Sequence, residues 1–403
     1  MKNLFYWFIL FFAIFACTDN QKESGLFSME SNYIINLDGK TEPQIPYSDY
    51  FKSQKTIILE TNDDCLIGMP TTFQIYDGYI YILDHYYAKC LFVFDMEGRF
   101  IRKIGSVGNG PGEYTQPKDF TLDTANGFIF IASSGKLIYK YQLDGTFVQT
   151  ITPNIERENL YNIHYYNGKL YLNVLTYQST QDDFMLYEAD VQTGKVLSKS
   201  IPLSYNMGWN VTELSHKRFL SRSNDPPRFT GHFMRHIVTI GEEITPYIEL
   251  QSKNFPTAAD IEKLKEAFYL SPSSYLDAII EFPKIRDVSS FIENQDFIFF
   301  RYEHGTRNQN TVIYHKKTGM VTTTSFFKND LIYKNNYTGF GNLREDFVFS
   351  DSKGAYVIRA ENARKRLQEA ILNHETAPEL DKADELLQLD ESANPVIFYY
   401  EFK

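Results

Sequence analysis

TFQIYDGYIYILDHYYAKCLFVFDMEGRFIRKIG (Thr72–Gly105) is followed, across a short glycine-rich loop, by KDFTLDTANGFIFIASSGKLIYKYQLDGTFVQTIT (Lys118–Thr152). The two stretches are one pattern written twice. Each holds four short runs of alternating β-branched and aromatic residues, separated by turn signals. In the first copy the runs are Thr72–Tyr76, Tyr79–Asp84, Cys90–Asp95 and Phe100–Gly105, with Asp77-Gly78 and Glu97-Gly98 as hairpin turns. In the second, Asn126-Gly127 and Asp144-Gly145 stand in the equivalent places. A four-strand unit with a period of about 45 residues predicts a β-propeller blade.

Working outward, a third unit spans Leu160–Ile201, with Asn167-Gly168 and Thr193-Gly194 as its turns. A fourth, less regular one covers about His216–Leu250 and ends in His236–Ile240 and Ile244–Leu250. A fifth covers Ile285–Phe327, and a sixth begins near Phe340, is interrupted, and finishes at Pro395–Phe402. The sixth is one strand short, and Lys55–Glu60 is a strand run with no unit of its own. Using that run as the missing strand closes the ring and removes two exposed edges. The expected fold is therefore all-β: a six-bladed propeller over 51–403, closed by strand 55–60.

Two insertions have helical character. Thr257–Leu270 opens with a capping-box pattern and places Ile261, Leu264 and Phe268 on one face; a further turn or two runs from Pro272 to Ile280. Arg359–Leu389 carries Leu367, Ile371, Leu386 and Leu387, with a break at Pro378. In a four-stranded blade, the loops between second and third strands and those leading to the next blade share one face. Both insertions, the glycine loop and the long loops fall on that face, where binding usually sits on a rigid scaffold.

The chain of 403 residues starts with a weakly positive Met1-Lys2-Asn3 and an apolar run, Leu4–Ala16. At about thirteen residues, that run has the length of a signal sequence and is too short to span a bilayer. Ile14-Phe15-Ala16-Cys17 resembles a bacterial lipobox, which implies cleavage before Cys17, a lipid on its sulfur and a signal peptide over 1–16. Residues 17–50 are then expected to be a tether and entry segment.

A net charge of −11 argues against nucleic acid, which needs a basic face, and against direct docking on anionic lipid. The 29 Tyr and 33 Phe are ascribed mainly to packing between sheets. Cys65 and Cys90 fit neither a zinc site nor a CxxC motif; two buried thiols are the reading, a disulfide the alternative.

The loop Gly105-Ser-Val-Gly108-Asn-Gly110-Pro111-Gly112-Glu113-Tyr114, with Asp119-Phe120 after it, the preceding Val93–Ile101 and the terminal Asn394-Pro395-Val396-Ile397, resembles the six-bladed propeller lipoproteins of Bacteroidales type, which are NHL-repeat-like. The resemblance covers about residue 50 to the end. It implies a propeller lipid-anchored in the envelope of a Gram-negative bacterium, the outer membrane being the expected one. It implies no established reaction.

The glycine loop lacks the GK[ST] ending of a phosphate loop, and Pro111 removes an amide such a cradle would use. It reads as a blade-to-blade turn needing positive φ. His85, His164, His216, His232, His236, His304, His315 and His374 are scattered without an HExxH, and no GxSxG occurs. No catalytic residue, metal or cofactor is assigned. The candidate binding face is His85, Tyr86, Tyr87, Trp209, Arg301, Tyr302, His304 and Arg307, with Tyr114 beside it. Exposed Tyr, Trp and Arg are favoured anchors for proteins, and aromatic faces stack on sugars. The expected function is binding or scaffolding of an envelope protein, peptide or glycan. The alternative is a propeller lyase or hydrolase with a metal at the channel mouth.

Overall fold

Each blade's sheet is apolar on both faces, so it is stable only between two neighbours, and six of them close into a ring. The computed structural model describes residues 29–155, 158–176, 183–209, 218–220, 226–305, 308–334, 348–350, 353–376 and 380–403. Blade 1 is Pro70–Tyr76, Tyr79–Asp84, Cys90–Asp95 and Phe100–Ile104, antiparallel throughout. Blade 2 is Pro117–Asp123, Phe128–Ser133, Ile138–Gln142 and Phe147–Ile151. Blade 3 is Glu158–Tyr166, Lys169–Thr176, Phe184–Asp190 and Val196–Pro202. Each strand sends alternate side chains to opposite sides. In the second strand of blade 1, Ile80 and Ile82 enter the core shared with blade 6, while Tyr81 and Leu83 enter the core shared with blade 2. Six such inter-blade cores run round the ring, and their aromatic residues fill the space between sheets.

Among the described residues, the inner half of blade 4 is short. Phe219 bridges Phe229, Arg228–Phe229 pairs with His236–Ile240, and that strand pairs with Ile244–Gln251. Blade 5 is Ile285–Glu293, Phe297–His304, Asn308–His315 and Met320–Thr324. Blade 6 is Val348–Ser350, Lys353–Ile358 and Val396–Phe402, with Phe51–Ile58 as its outermost strand.

The stretch expected to be only tether and entry is corrected from Tyr33 onward. Tyr33–Asn36 lies parallel to Ile244–Gln251 as an extra outer strand of blade 4. Thr41–Glu42 does the same on Met320–Thr324 of blade 5, and Ile45–Pro46 pairs with Phe327–Lys328. The N-terminal segment is thus a strap over the rims of blades 4 and 5. It satisfies edge N–H and C=O groups that would otherwise face water and invite pairing with other chains.

Helix α1 (Ala258–Leu270) starts with a true capping box: Thr257 and Asp260 each accept the other's backbone N–H, at 3.3 and 2.9 Å. Helix α2 (Pro272–Glu281) follows with Ser271 as its cap and proline in its first turn. Helix α3 (Ala360–Leu372) buries Ala363, Leu367 and Ala370, whereas Ile371 is exposed, because the face laid on the blade is the small-residue one. A short α4 (Ala383–Leu387) buries Leu386, and Pro378 lies outside the described residues. Before α4, Asp381 accepts the N–H of Thr56 at 2.7 Å, which covers the outer edge of blade 6.

Cys65 and Cys90 are both buried free thiols in the core between blades 6 and 1. Burial pushes the Cys90 thiol up, which keeps it protonated and unreactive.

Candidate binding face and channel belt

The loops that share a face with the helices are built on a few buried anchors. Asp84 ends the second strand of blade 1, and its carboxylate accepts four backbone N–H groups: Gly68 (2.8 Å), Met69 (3.0 Å), Tyr86 (3.1 Å) and Tyr87 (2.9 Å). Two loops are tied to one side chain, and the Tyr87 ring is held over Gly68, where a Cβ would come within 2.7 Å of Tyr87 Cβ. His85 turns inward. Its Nδ1 lies 2.6 Å from the Pro117 carbonyl and its Nε2 3.3 Å from Gln116 Nε2. Nδ1 therefore carries the hydrogen and Nε2 accepts, which fixes the tautomer and uses both ring nitrogens.

The glycine loop is a closed structural unit. Ser106–Val107 pairs with Glu113–Tyr114, and Glu113 Oε2 accepts the Gly110 N–H at 2.8 Å. Tyr114 is fully buried; its hydroxyl donates to the Ile104 carbonyl at 2.7 Å. Gly112 has φ +73°, and a Cβ there would meet Phe147 at 2.8 Å. Tyr141 donates to the Gly112 carbonyl at 2.9 Å. The Gly110 backbone is thus engaged within the loop and the Gly112 carbonyl by blade 2, as a blade-to-blade turn requires.

Around the channel runs a belt that the sequence reading did not single out. The first strands of blades 1, 2, 3 and 5 each carry a register shift near their start, at Pro70/Thr72, Pro117/Asp119, Leu160/Asn162 and Ile285/Asp287. A bulge re-aims the residue after it. Here those residues are Thr72, Asp119, Asn162 and Asp287, all buried and polar. Thr72 reaches Asp119 at 3.4 Å, Asp119 accepts the Ile163 N–H at 3.1 Å, and Asn162 accepts the Arg218 N–H at 3.3 Å. Arg218 then makes a two-pronged pair with Asp287, at 2.9 and 3.0 Å. Five blades are joined in one chain of contacts. The signal was legible: each inner strand repeats a polar residue followed by an apolar one (Thr72-Phe73, Asp119-Phe120, Asn162-Ile163, Arg218-Phe219, Asp287-Val288). His232 lies 3.6 Å from Asp287, but the guanidinium of Arg218 stands 3.0 Å from its Nε2. A fixed cation already occupies the centre of this cluster. Among the described residues no three His, Cys, Asp or Glu side chains converge in a metal-binding group.

Of the candidate face residues, Tyr87 is 73% exposed and Tyr86 40%, and these two stand on the loop face. His304 is half-buried at the end of its strand. Three others are corrected. Trp209 is 1% exposed, because it forms the floor under α1 and α2 with Phe233, Ile261, Leu264, Ile279 and Phe282. Tyr302 is buried in the core between blades 4 and 5, where burial pushes its hydroxyl up to about 12. Arg301 is buried on the other side of the same strand, beside Phe51, Phe299 and Phe327, lining a cavity of about 20 Å³. Strand alternation explains the last two: neither side of an inner strand faces water in a ring of packed sheets. Arg307 lies outside the described residues, as does Cys17.

The loop face instead exposes side chains that were not foreseen: Leu66 and Met69 beside Tyr87, Tyr269 and Leu270 at the end of α1, Leu276 and Ile280 on α2, and Leu372 at the end of α3. Leu276 and Ile280 are four residues apart and so share one side of the helix, next to the buried Ile279. Periodicity marks such positions as apolar but cannot say which apolar face is covered.

The architecture is that of a six-bladed β-propeller with one loop-rich face. The family described as a domain of unknown function, DUF4934, matches residues 32–401, and the chain belongs to it. A solved structure with the description "Putative exported protein" from Bacteroides fragilis superposes with a TM-score of 0.72 at 17% identity, covering 92% of this chain and 99% of that one. That likeness shows the fold. A structure described as the extracellular domain of a "putative hybrid two component system" from B. thetaiotaomicron aligns at 13% identity over 68% of this chain and 30% of that one, with a TM-score of 0.39, too low to carry an argument. No curated protein matches the chain. No helix among the described residues is long and apolar enough to cross a membrane.

Proposed function

We propose that this protein is a lipid-anchored, NHL-like propeller of the cell envelope that acts by binding, as a scaffold or accessory protein for an envelope protein, a peptide or a glycan. The observation that carries the reading is the placement of exposed apolar side chains. Leu66, Met69, Tyr87, Leu270, Leu276 and Ile280 all stand on the loop face, whereas the turns of the opposite face at Asp77-Gly78, Glu97-Gly98 and Asn167-Gly168 are polar and Met320 is the exposed apolar residue beside the Lys317–Gly319 turn. Apolar side chains gathered on one side of a rigid scaffold suit a partner that covers them. The Ile14-Phe15-Ala16-Cys17 lipobox supports the anchor, and the exported neighbour is compatible with an envelope location.

The test is affinity capture of the tagged, lipidated protein from gently solubilised membranes after brief cross-linking. A Cys17→Ala form should lose partners that depend on the anchor. A Tyr87→Ser/Leu276→Ser form should lose the partner while keeping its unfolding midpoint, and the buried control Tyr302→Phe should keep it. A partner retained by the Tyr87→Ser/Leu276→Ser protein would move the binding site elsewhere.

A further inference from the structure

The direction of the N-terminal strap settles from which side the chain reaches the propeller. Tyr33–Asn36 runs parallel to Ile244–Gln251, with Tyr33 opposite Ile248 and Asn36 opposite Gln251. Ile244–Gln251 rises from the Gly241–Glu243 turn and ends at the connection to α1, on the loop face. Leu37 continues the pairing with its N–H on the Gln251 carbonyl at 2.8 Å, and Asp38 binds Ser252 and Lys253 just below the helices. The strap therefore climbs from the direction of the far side toward the loop face. Side-chain contacts agree. The Tyr33 ring packs edge-on against Tyr247 (5.4 Å) and Tyr314 (5.3 Å), with Lys316 at 5.9 Å over it. Tyr314 and Lys316 adjoin the Lys317–Gly319 turn of blade 5, which belongs to the far face.

We propose that the loop face is turned away from the membrane that carries the anchor, so that its partner is a molecule approaching from the aqueous side and not the anchoring bilayer. This rests on the lipid-anchored reading above. From Cys17 to Met29 the chain can span at most about 40 Å, and it joins the propeller at Tyr33, opposite Ile248 midway up the outer strand of blade 4, already heading for the loop face. Turning the helices to the membrane would require the chain to reverse direction before Tyr33 and to use up part of that reach running back along the edge of blade 4. The net charge of −11 likewise keeps the propeller from lying flat on anionic lipid. The exposed Leu270, Leu276 and Ile280 are then presented to water and to whatever partner covers them.

The test uses the full lipidated chain in vesicles of phosphatidylethanolamine and phosphatidylglycerol that carry an acceptor dye on their headgroups. A donor is attached at Glu242→Cys, on the far-face turn of blade 4, or at Asp277→Cys, on α2; both positions are exposed, and Cys65 and Cys90 are buried against labelling. Energy transfer several-fold stronger from Glu242→Cys supports the proposal. Equal transfer, or stronger transfer from Asp277→Cys, overturns it. A protein whose intact mass lacks the acyl chains and which does not bind vesicles overturns the proposal together with the anchor reading, and the mass distinguishes that failure. A version with hexahistidine in place of residues 1–17, held on nickel-chelating lipid, repeats the comparison without acylation: the same bias supports the strap argument, and its absence overturns it.

Discussion

Arg218 and Asp287 meet in a two-pronged ion pair at 2.9 and 3.0 Å, on the innermost strands of blades 4 and 5, with their side chains 1% and 4% exposed. Among the described residues, the inner half of blade 4 holds the Phe219–Phe229 bridge and the two-residue strand Arg228–Phe229. The ion pair joins its inner edge to a full-length neighbour.

Removing one partner takes from the remaining buried charge its two-pronged counter-ion. Arg218→Met should therefore cost about 4 kcal/mol, and Asp287→Leu a comparable amount. The double substitution should recover most of that loss, because an apolar pair of similar volume needs no desolvation. Urea unfolding of the four proteins closes the cycle. Additive losses would mean that the two side chains act separately.

Asn394 holds the seam of the ring. Its amide donates to the carbonyls of Glu60 (2.6 Å) and Cys65 (2.7 Å), and its carbonyl accepts the Ile67 N–H (2.7 Å). Asn394→Ala would take their Asn394 partner from the Cys65 carbonyl and the Ile67 N–H in a buried place, and one of two donors from the part-buried Glu60 carbonyl, at a cost of about 3 kcal/mol. Hydrogen exchange should show the loss concentrated at Ile67 and in Phe51–Ile58. Protection lost evenly over all six blades would contradict a local seam.

Two glycines with similar backbone angles should respond differently to alanine. Gly112 (φ +73°) has Phe147 2.8 Å from its missing Cβ, whereas Gly168 (φ +78°) has open space. Gly168→Ala should cost about 1 kcal/mol, the left-handed backbone penalty. Gly112→Ala should cost at least about twice that, since the Phe147 contact adds to it. Equal losses in thermal unfolding would remove the steric part of the glycine-loop account.

Burial pushes the hydroxyls of Tyr50, Tyr81, Tyr171 and Tyr302 up to about 12 each. Unfolded tyrosine ionises near pH 10. Between the two values the folded state keeps these protons and the unfolded chain releases them, so stability is full below about pH 10 and falls as pH rises toward about 12. Tyrosinate absorbance at 295 nm should include a component that appears together with loss of the β circular-dichroism signal. Complete ionisation of all tyrosines before any unfolding would refute it.

The blade repeat was legible because it rests on local chemistry. Asp77-Gly78 and Asn167-Gly168 both take positive φ at both positions, which is the turn that right-twisted hairpins need. The apolar alternation between such turns leaves few folds open. The binding face was less legible. Trp209, Arg301 and Tyr302 were chosen by residue type, and each is buried, because residue type does not reveal which loop is roofed by a helix or which strand face meets a neighbour. Tyr86 and Tyr87 are exposed, on a loop whose backbone Asp84 holds. Leu276 and Ile280 were missed because an amphipathic pattern shows which residues avoid water and not which find cover.

By itself, the sequence determined the repeating blade, the six-bladed ring and the face on which the insertions fall, since turn chemistry and a period of two act over a few residues. Only the tertiary structure decided the rest. Tyr33–Asn36 and Thr41–Glu42 become outer strands because the rims of blades 4 and 5 offer unpaired backbone groups at that distance. Thr72, Asp119, Asn162, Arg218 and Asp287 form one belt because ring closure brings together residues far apart in the chain. The physical reason is the same in both cases: the partners are non-local, and no local pattern carries their pairing.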